Sequence, residues 1–202
     1  TLTGKDLKGK ILTSSNLASI NLASSNLEEV DLHGADINKA NLEKANLGKA
    51  DLYLADLNKA NLYLANLEKA NLYKANLEEA NLSGADLMQV NLYLANLHKA
   101  TLMRANLEEG HMEEAILSVA NLYKANLEGA NLEKVKYLTA DQIKKAMINR
   151  ETELPNYLQA TWSQNGELVE IKEVKAISPL PETYFSNIAK LGSIPLNPSA
   201  RV

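Results

Sequence analysis

The chain has no cysteine, which excludes disulfides, a thiol nucleophile and a thiolate metal site together, and leaves the redox compartment unread. Histidine is nearly as scarce. The three residues His33, His98 and His111 stand far apart with no ligand set at metal spacing, so they are expected to be scattered surface residues; no metal or cofactor is expected. No Ser-His-Asp order, glycine-rich phosphate loop or carboxylate pair in a cleft is present, and residues 155–202 lack His altogether. An enzyme is therefore not expected. No apolar run approaches the ~20 residues of a membrane span, and no charged-then-apolar leader precedes the first repeats. The chain begins at Thr1 rather than Met, which is compatible with a removed leader, so the compartment is left open: the cytoplasm is slightly favoured, with periplasm or thylakoid lumen if a leader was removed.

Charge of one sign is also weak. The net charge is −4, with 18 acidic and 13 basic residues in 1–135 against 7 acidic and 8 basic in 136–202. Neither part has the basic stripe of a direct nucleic-acid binder.

What the chain does have is a five-residue ladder. Of the 27 positions reached by stepping in fives from Leu2 to Leu132, 25 are Leu and the others are Ile37 and Met112. Two places earlier the residue is nearly always Ala, with Val90 and Gly110 among the exceptions, and one place earlier it is mostly Asn or Asp. Five steps of an α-helix carry the Leu positions round every face, and five steps of a flat strand alternate their sides. Every Leu stays inside only if the chain turns by a constant angle per repeat and coils around an axis, which is a solenoid. Outward positions set the number of sides. Tyr53, Tyr73 and Tyr93 fall into one column, Glu28, Glu68, Glu108 and Glu128 into another, and Lys39, Lys59 and Lys99 into a third if a coil is 20 residues long. Asp and Asn before each Leu serve as turn and side-chain hydrogen-bond formers, equivalent in that role.

These repeats resemble the pentapeptide repeat family, whose pattern is A(D/N)LXX, from about Ser14 to Lys134 without insertion. The resemblance implies an all-β solenoid, a right-handed quadrilateral parallel β-helix with Leu and the preceding small residue pointing inward. The plain Leu-centred repeats are similar to those of cyanobacterial members. Some members resemble DNA in shape and charge and bind DNA gyrase, giving quinolone resistance; here lysines interrupt the negative columns.

Three segments are expected: the β-helix over 1–135, with 1–13 an irregular first coil from whose open end Lys5 and Lys10 escape to solvent; a capping helix within 136–153; and a small α/β appendage over 154–202. Thr139 and Gln142 form a capping box, Leu138 and Ile143 a staple, and Ile143, Ala146 and Met147 one apolar face, so a helix from about Ala140 to Arg150 is predicted to lie across the last coil. The end-capping residues are accordingly Thr139, Gln142, Ile143 and Met147. Leu154-Pro155 stops the helix. Asn165-Gly166 predicts a hairpin over about 160–174, anchored by Trp162, and a short helix over about 181–190 precedes a mobile Pro-rich tail.

The function these observations favour is a non-enzymatic structural or protein-interaction module, a rigid rod offering flat faces to a protein partner. The alternative is a DNA mimic that binds gyrase or another nucleic-acid-binding protein. Tyr53, Leu54, Tyr73, Tyr93 and Leu94 form the candidate docking column, against simple cross-coil stacking as the plainer role. Glu108, Glu109, Glu113 and Glu114 form a candidate acidic patch beside Gly110, whose missing methyl is expected to make room for Met112. Monomer and end-to-end or side-to-side homodimer are all compatible with this reading.

Overall fold

The computed structural model describes residues 1–175. Every bridge from Asp6↔Asn26 to Ile116↔Lys136 is parallel and joins residues twenty apart, so each coil has four sides of five residues. We number the sides in chain order from the one centred on Leu22, Leu42 and Leu62, so that sides 1 and 3 are opposite.

Each side is a single bridge followed by a turn, not a continuous strand. In each turn the Leu carbonyl accepts from the amide three residues on, as Ile37 does from Ala40 at 3.1 Å. The residue before that amide lies in the left-handed region, with Lys39, Lys44, Lys49 and Lys59 all at φ 56°. A positive φ at the third turn residue belongs to type II turns and normally calls for glycine. Here the stacked coil imposes it on whatever residue is there. Between coils, the Leu amide donates to the Asn or Asp carbonyl of the next coil, as Leu42 does to Asn61 at 2.7 Å. Leu and Ala then fill the rod from Leu22 to Leu132, with most of these residues fully enclosed. Burying that many aliphatic side chains, each worth about 1.5–3 kcal/mol, is what sustains the repeated left-handed turns.

Asn and Asp prove unequal. Their Oδ1 caps the turn by accepting from the amide two residues on, as Asn66 does from Glu68 at 2.9 Å. Asn additionally donates its Nδ2 to the residue one coil earlier, as Asn76 does to Asp56 at 2.9 Å. An ionised Asp has no proton to give.

The first coil is not irregular, contrary to expectation. Leu2 donates to Asn21 at 2.7 Å and Gly4 to Ala23 at 2.9 Å, the same bonds made throughout the rod. Lys5 and Lys10 are exposed, because no earlier coil encloses them.

The helix α1 covers only Ala140–Ile143, far short of Arg150. Its capping box is formed, and Leu138 and Ile143 are buried. Beyond Ile143 the chain returns to the rod because the last coil has open backbone groups to satisfy. Met147 donates to Ala125 and accepts from Leu127, both at 2.8 Å, while Glu153 donates to Ala130 at 3.0 Å and accepts from Leu132 at 2.8 Å. Met147 therefore caps with its backbone, and its side chain is exposed instead of joining an apolar helix face.

Strands β1 (Leu158–Trp162) and β2 (Leu168–Glu173) pair antiparallel around the Asn165-Gly166 turn. Leu158 and Ile171 are buried against the cap, whereas Trp162, the expected anchor, is half-buried. Tyr157 supplies the other tie: its hydroxyl donates to the Val135 carbonyl at 2.6 Å and accepts from the Leu138 amide at 3.2 Å. The expected helix at 181–190 and the tail lie outside the described residues.

Candidate interaction surfaces

Because the interior of the rod is filled, the side chains that its coils offer to solvent are chiefly those of the turns, two per side per coil. Shallow hollows occur on the surface, one of about 320 Å³ where Gly48 withholds a side chain between Glu28 and Glu68. Among the described residues no group of His, Asp and Glu is placed to hold a metal ion.

Side 3 carries the three stacked tyrosines, Tyr53, Tyr73 and Tyr93. Tyr53 and Tyr73 stack with centroids 5.2 Å apart at 12°, Tyr73 and Tyr93 at 5.5 Å and 20°, and His33 caps the column edge-on to Tyr53 at 4.7 Å. The coil spacing itself produces this geometry, since residues twenty apart share one column at roughly the parallel-strand separation. His33 was not foreseen as part of it. Leu54 and Leu94 form a separate neighbouring column and are parted by Lys74, whose Nζ lies 5.0 Å from the Tyr73 ring centre. Leu54 is exposed at 46%, whereas Leu94 is half-buried. Tyr93 ends the stack with its hydroxyl 3.4 Å from Glu114 Oε1, and the carboxylate there holds the phenol above its usual pKa.

The acidic patch does not gather on one surface. Glu108 and Glu109 lie on side 2, and Glu113 and Glu114 lie round the corner on side 3. Each has its own partner: Glu108 accepts from Asn126 at 3.2 Å, Glu109 from Gln89 at 2.6 Å, Glu113 from Asn131 at 3.0 Å, and Glu114 pairs with Lys136 at 3.7 Å. A β-carbon added at Gly110 would lie 3.0 Å from the Leu107 carbonyl oxygen and 3.6 Å from Cγ1 of Val90, one coil earlier, so the space left by the missing methyl borders Val90. Val90 and Gly110, two of the exceptions to the Ala rule, thus form one large–small pair in a single inward column.

Charge is sorted by side, a pattern hidden in the whole-chain total. Side 2 carries Glu28, Glu29, Glu68, Glu108, Glu109 and Glu128 along its turns, plus Asp6 and Asp86 in its ladder. Its three turn lysines each lie beside a carboxylate: Lys8 by Glu28 at 2.8 Å, Lys49 by Glu29 at 3.9 Å and Lys69 by Glu68 at 2.7 Å. On side 4, Glu79 sits between Lys59 at 3.5 Å and Lys99 at 3.9 Å. His98, on the same side, is buried and not a surface residue; burial, then the Lys99 charge, pushes its pKa down.

The pentapeptide repeats family model matches residues 12–43, 35–72, 70–108 and 100–136, in eight copies. A comparison with curated proteins finds no match. Among solved structures, full-length QnrB1, a plasmid-mediated fluoroquinolone resistance protein, aligns at 16% identity and a TM-score of 0.50, covering 76% of this chain and 91% of its own. Rfr23, a pentapeptide repeat protein of the cyanobacterium Cyanothece 51142, aligns at 25% identity and a TM-score of 0.36 over 74% of this chain and 90% of its own. A pentapeptide repeat protein from the Arabidopsis thaliana thylakoid lumen aligns at 27% and 0.33 over 60% and 70%. The QnrB1 likeness, at that identity, concerns the fold alone. With the family's repeats matched through more than half of its length and the coil register to go with them, the chain belongs to the pentapeptide repeat family, whose fold is a right-handed quadrilateral β-helix.

Proposed function

We propose that the protein is a non-enzymatic interaction module that receives a protein partner on side 3. The supporting observation is the preformed ring column His33–Tyr53–Tyr73–Tyr93, flanked by the outward Leu54 and Leu94. Aromatic side chains already fixed by their neighbours lose little entropy on binding, which is why rigid tyrosines serve well as interface anchors. General acid–base chemistry needs positioned groups in a water-excluding hollow, and a rod filled with Leu gives it none. Capture of binding proteins by the whole chain and by a Tyr73→Ser/Leu94→Ser variant tests the reading, with size-exclusion chromatography alongside. Loss of a partner or of self-association in the variant is the expected result. Identical behaviour in both assays leaves the tyrosines as a stack that only stabilises the rod.

A second reading, mimicry of a nucleic acid toward gyrase or another nucleic-acid-binding protein, draws on the eight carboxylates of side 2 against four lysines, Lys5 at the open end and three in the turns. Their ion pairs soften the field of that side without cancelling it. Inhibition of gyrase supercoiling that Glu68→Lys/Glu108→Lys relieves supports this reading, and no inhibition at large protein excess removes it.

A further inference from the structure

Side 1, opposite the tyrosine stack, differs from the other three. Four of the large apolar side chains exposed on the molecule belong to it: Tyr63 at 41%, Leu64 at 45%, Met103 at 38% and Tyr123 at 43%. Its ladder positions are Asn and Thr with no Asp, and its one turn carboxylate, Glu43, is 3.2 Å from Lys44. From Tyr63 onward the charged turn residues of this side are Arg104 and Lys124, both exposed. Lys145 extends the row, since its carbonyl accepts from the Lys124 amide at 2.6 Å and its side chain is exposed. At the neighbouring corner the carboxylate Glu79 is already flanked by Lys59 and Lys99.

We propose that side 1 lies flat on an anionic lipid surface. Tyrosine and unbranched or γ-branched aliphatic side chains enter the headgroup boundary, while long cationic side chains reach up to the phosphates from the same face. Lys124 already rests over Tyr123, Nζ 5.4 Å from the ring centre, so one pair supplies both contacts. Each cation near an anionic leaflet strengthens binding severalfold, and the effect is screened by salt. A row of phosphates on a nucleic acid fits less well, because Leu64 and Gly84 occupy the places between Lys44 and Arg104 in this column. The acidic side 2 of a second copy matches the charge, yet Met88 is its one long apolar turn residue, which leaves Tyr63, Leu64 and Tyr123 against carboxylates. A rod bound this way turns its tyrosine stack toward water, and the inference does not depend on what that stack receives.

Flotation with vesicles of phosphatidylcholine alone, or mixed with phosphatidylglycerol, tests the proposal on the full chain. Wild-type protein is expected to float only with the mixed vesicles and to be released by high salt. Arg104→Glu/Lys124→Glu should weaken partitioning by at least about tenfold, and Tyr63→Ser/Tyr123→Ser should weaken it on the same vesicles. Lys49→Glu/Lys69→Glu, the same charge change on side 2, should float as wild type; circular dichroism verifies that each variant is folded, and Lys124→Gln/Lys145→Gln replaces the reversal variant if that one is not. The proposal is overturned if wild type ignores the mixed vesicles, if the side 1 variants float unchanged, or if the side 2 control falls equally. It is likewise overturned if sedimentation shows a salt-sensitive oligomer, abolished by Arg104→Glu/Lys124→Glu, in a protein that does not float; side 1 then meets side 2 of a second copy.

Discussion

Asn66 donates its side-chain amide to Oδ1 of Asn46 at 3.0 Å, and Asn46 donates in the same sense to Asn26 at 3.3 Å. The direction is uniform: the later coil gives the proton and the earlier coil receives it. An Asp is therefore suited to the receiving end of a run, where Asp6 accepts from Asn26 at 3.0 Å. Where Asp follows Asp, as in the bridged pairs Asp31↔Asp51 and Asp36↔Asp56, two carboxylates meet with no amide between them.

Asp56→Asn restores the missing donor and separates the paired charges, so it should stabilise the rod by about 0.5–1.5 kcal/mol. The reverse change, Asn76→Asp, removes the bond to Asp56 and stacks a third carboxylate in that column. It should cost about 1–3 kcal/mol. Equilibrium denaturation of the two variants beside wild type checks both signs, and equal stabilities would mean the ladder bonds exchange freely with water.

The left-handed turn residue offers a second test. Gly84 lies at φ +65°, and a β-carbon there would come within 2.8 Å of Leu64 Cδ2. Gly84→Ala should cost about 1 kcal/mol, chiefly from the backbone, because Leu64 can swing outward. Lys59→Gly, at φ 56°, relieves the same strain while loosening the unfolded chain, and should leave stability unchanged or raise it by up to about 1 kcal/mol. Thermal melts of the two variants read these opposite shifts.

At the closed end of the rod, Gln142 is worth more than a helix cap. Its Nε2 donates to the carbonyls of Leu117 at 2.8 Å and Ala120 at 2.9 Å, while its Oε1 accepts from the Thr139 amide at 2.9 Å. Gln142→Leu leaves two end carbonyls without this donor and should destabilise by about 2–3 kcal/mol, more than Thr139→Ala at about 1 kcal/mol. Chemical denaturation ranks them; the opposite order would make the single-turn helix the main contributor.

The rod was legible because its signal repeats. Ile37 and Met112 do not blur a period carried by 25 leucines, and the twenty-residue columns of Tyr and Glu predict the same coil that the bridges form. Features depending on one place in space were harder to read. Thr139 and Gln142 announce a helix correctly, yet nothing local says that Met147 and Glu153 will be taken by open backbone groups of the last coil. Propensity favoured a longer helix, and tertiary hydrogen bonding ended it after Ile143. The acidic run at 108–114 looked like one patch because proximity in sequence was equated with a shared surface, whereas the corner at Gly110 divides it. The twenty-residue columns already place Tyr63, Leu64 and Tyr123 opposite Tyr53; the cationic half of side 1 is also in the sequence, since Arg104 and Lys124 share one column beside Met103 and Tyr123.

Tyr157 gives the molecule an alkaline limit at its capped end. Burial, the largest influence, pushes its phenol from the ordinary 10.0 up to about 12, partly offset by the Leu138 amide. A folded-state pKa above the unfolded one means that the contribution is whole below about pH 10 and is lost as pH climbs through about 12. Deprotonation there also removes the proton given to the Val135 carbonyl. Fluorescence of Trp162, the chain's single tryptophan, sits in β1 and should report hairpin release over that window, ahead of collapse of the Leu-filled coils. Tyr157→Phe should cost about 1–2 kcal/mol at neutral pH by orphaning Val135, and should flatten the Trp162 transition between pH 10 and 12. An unchanged alkaline transition in that variant would assign it to another group.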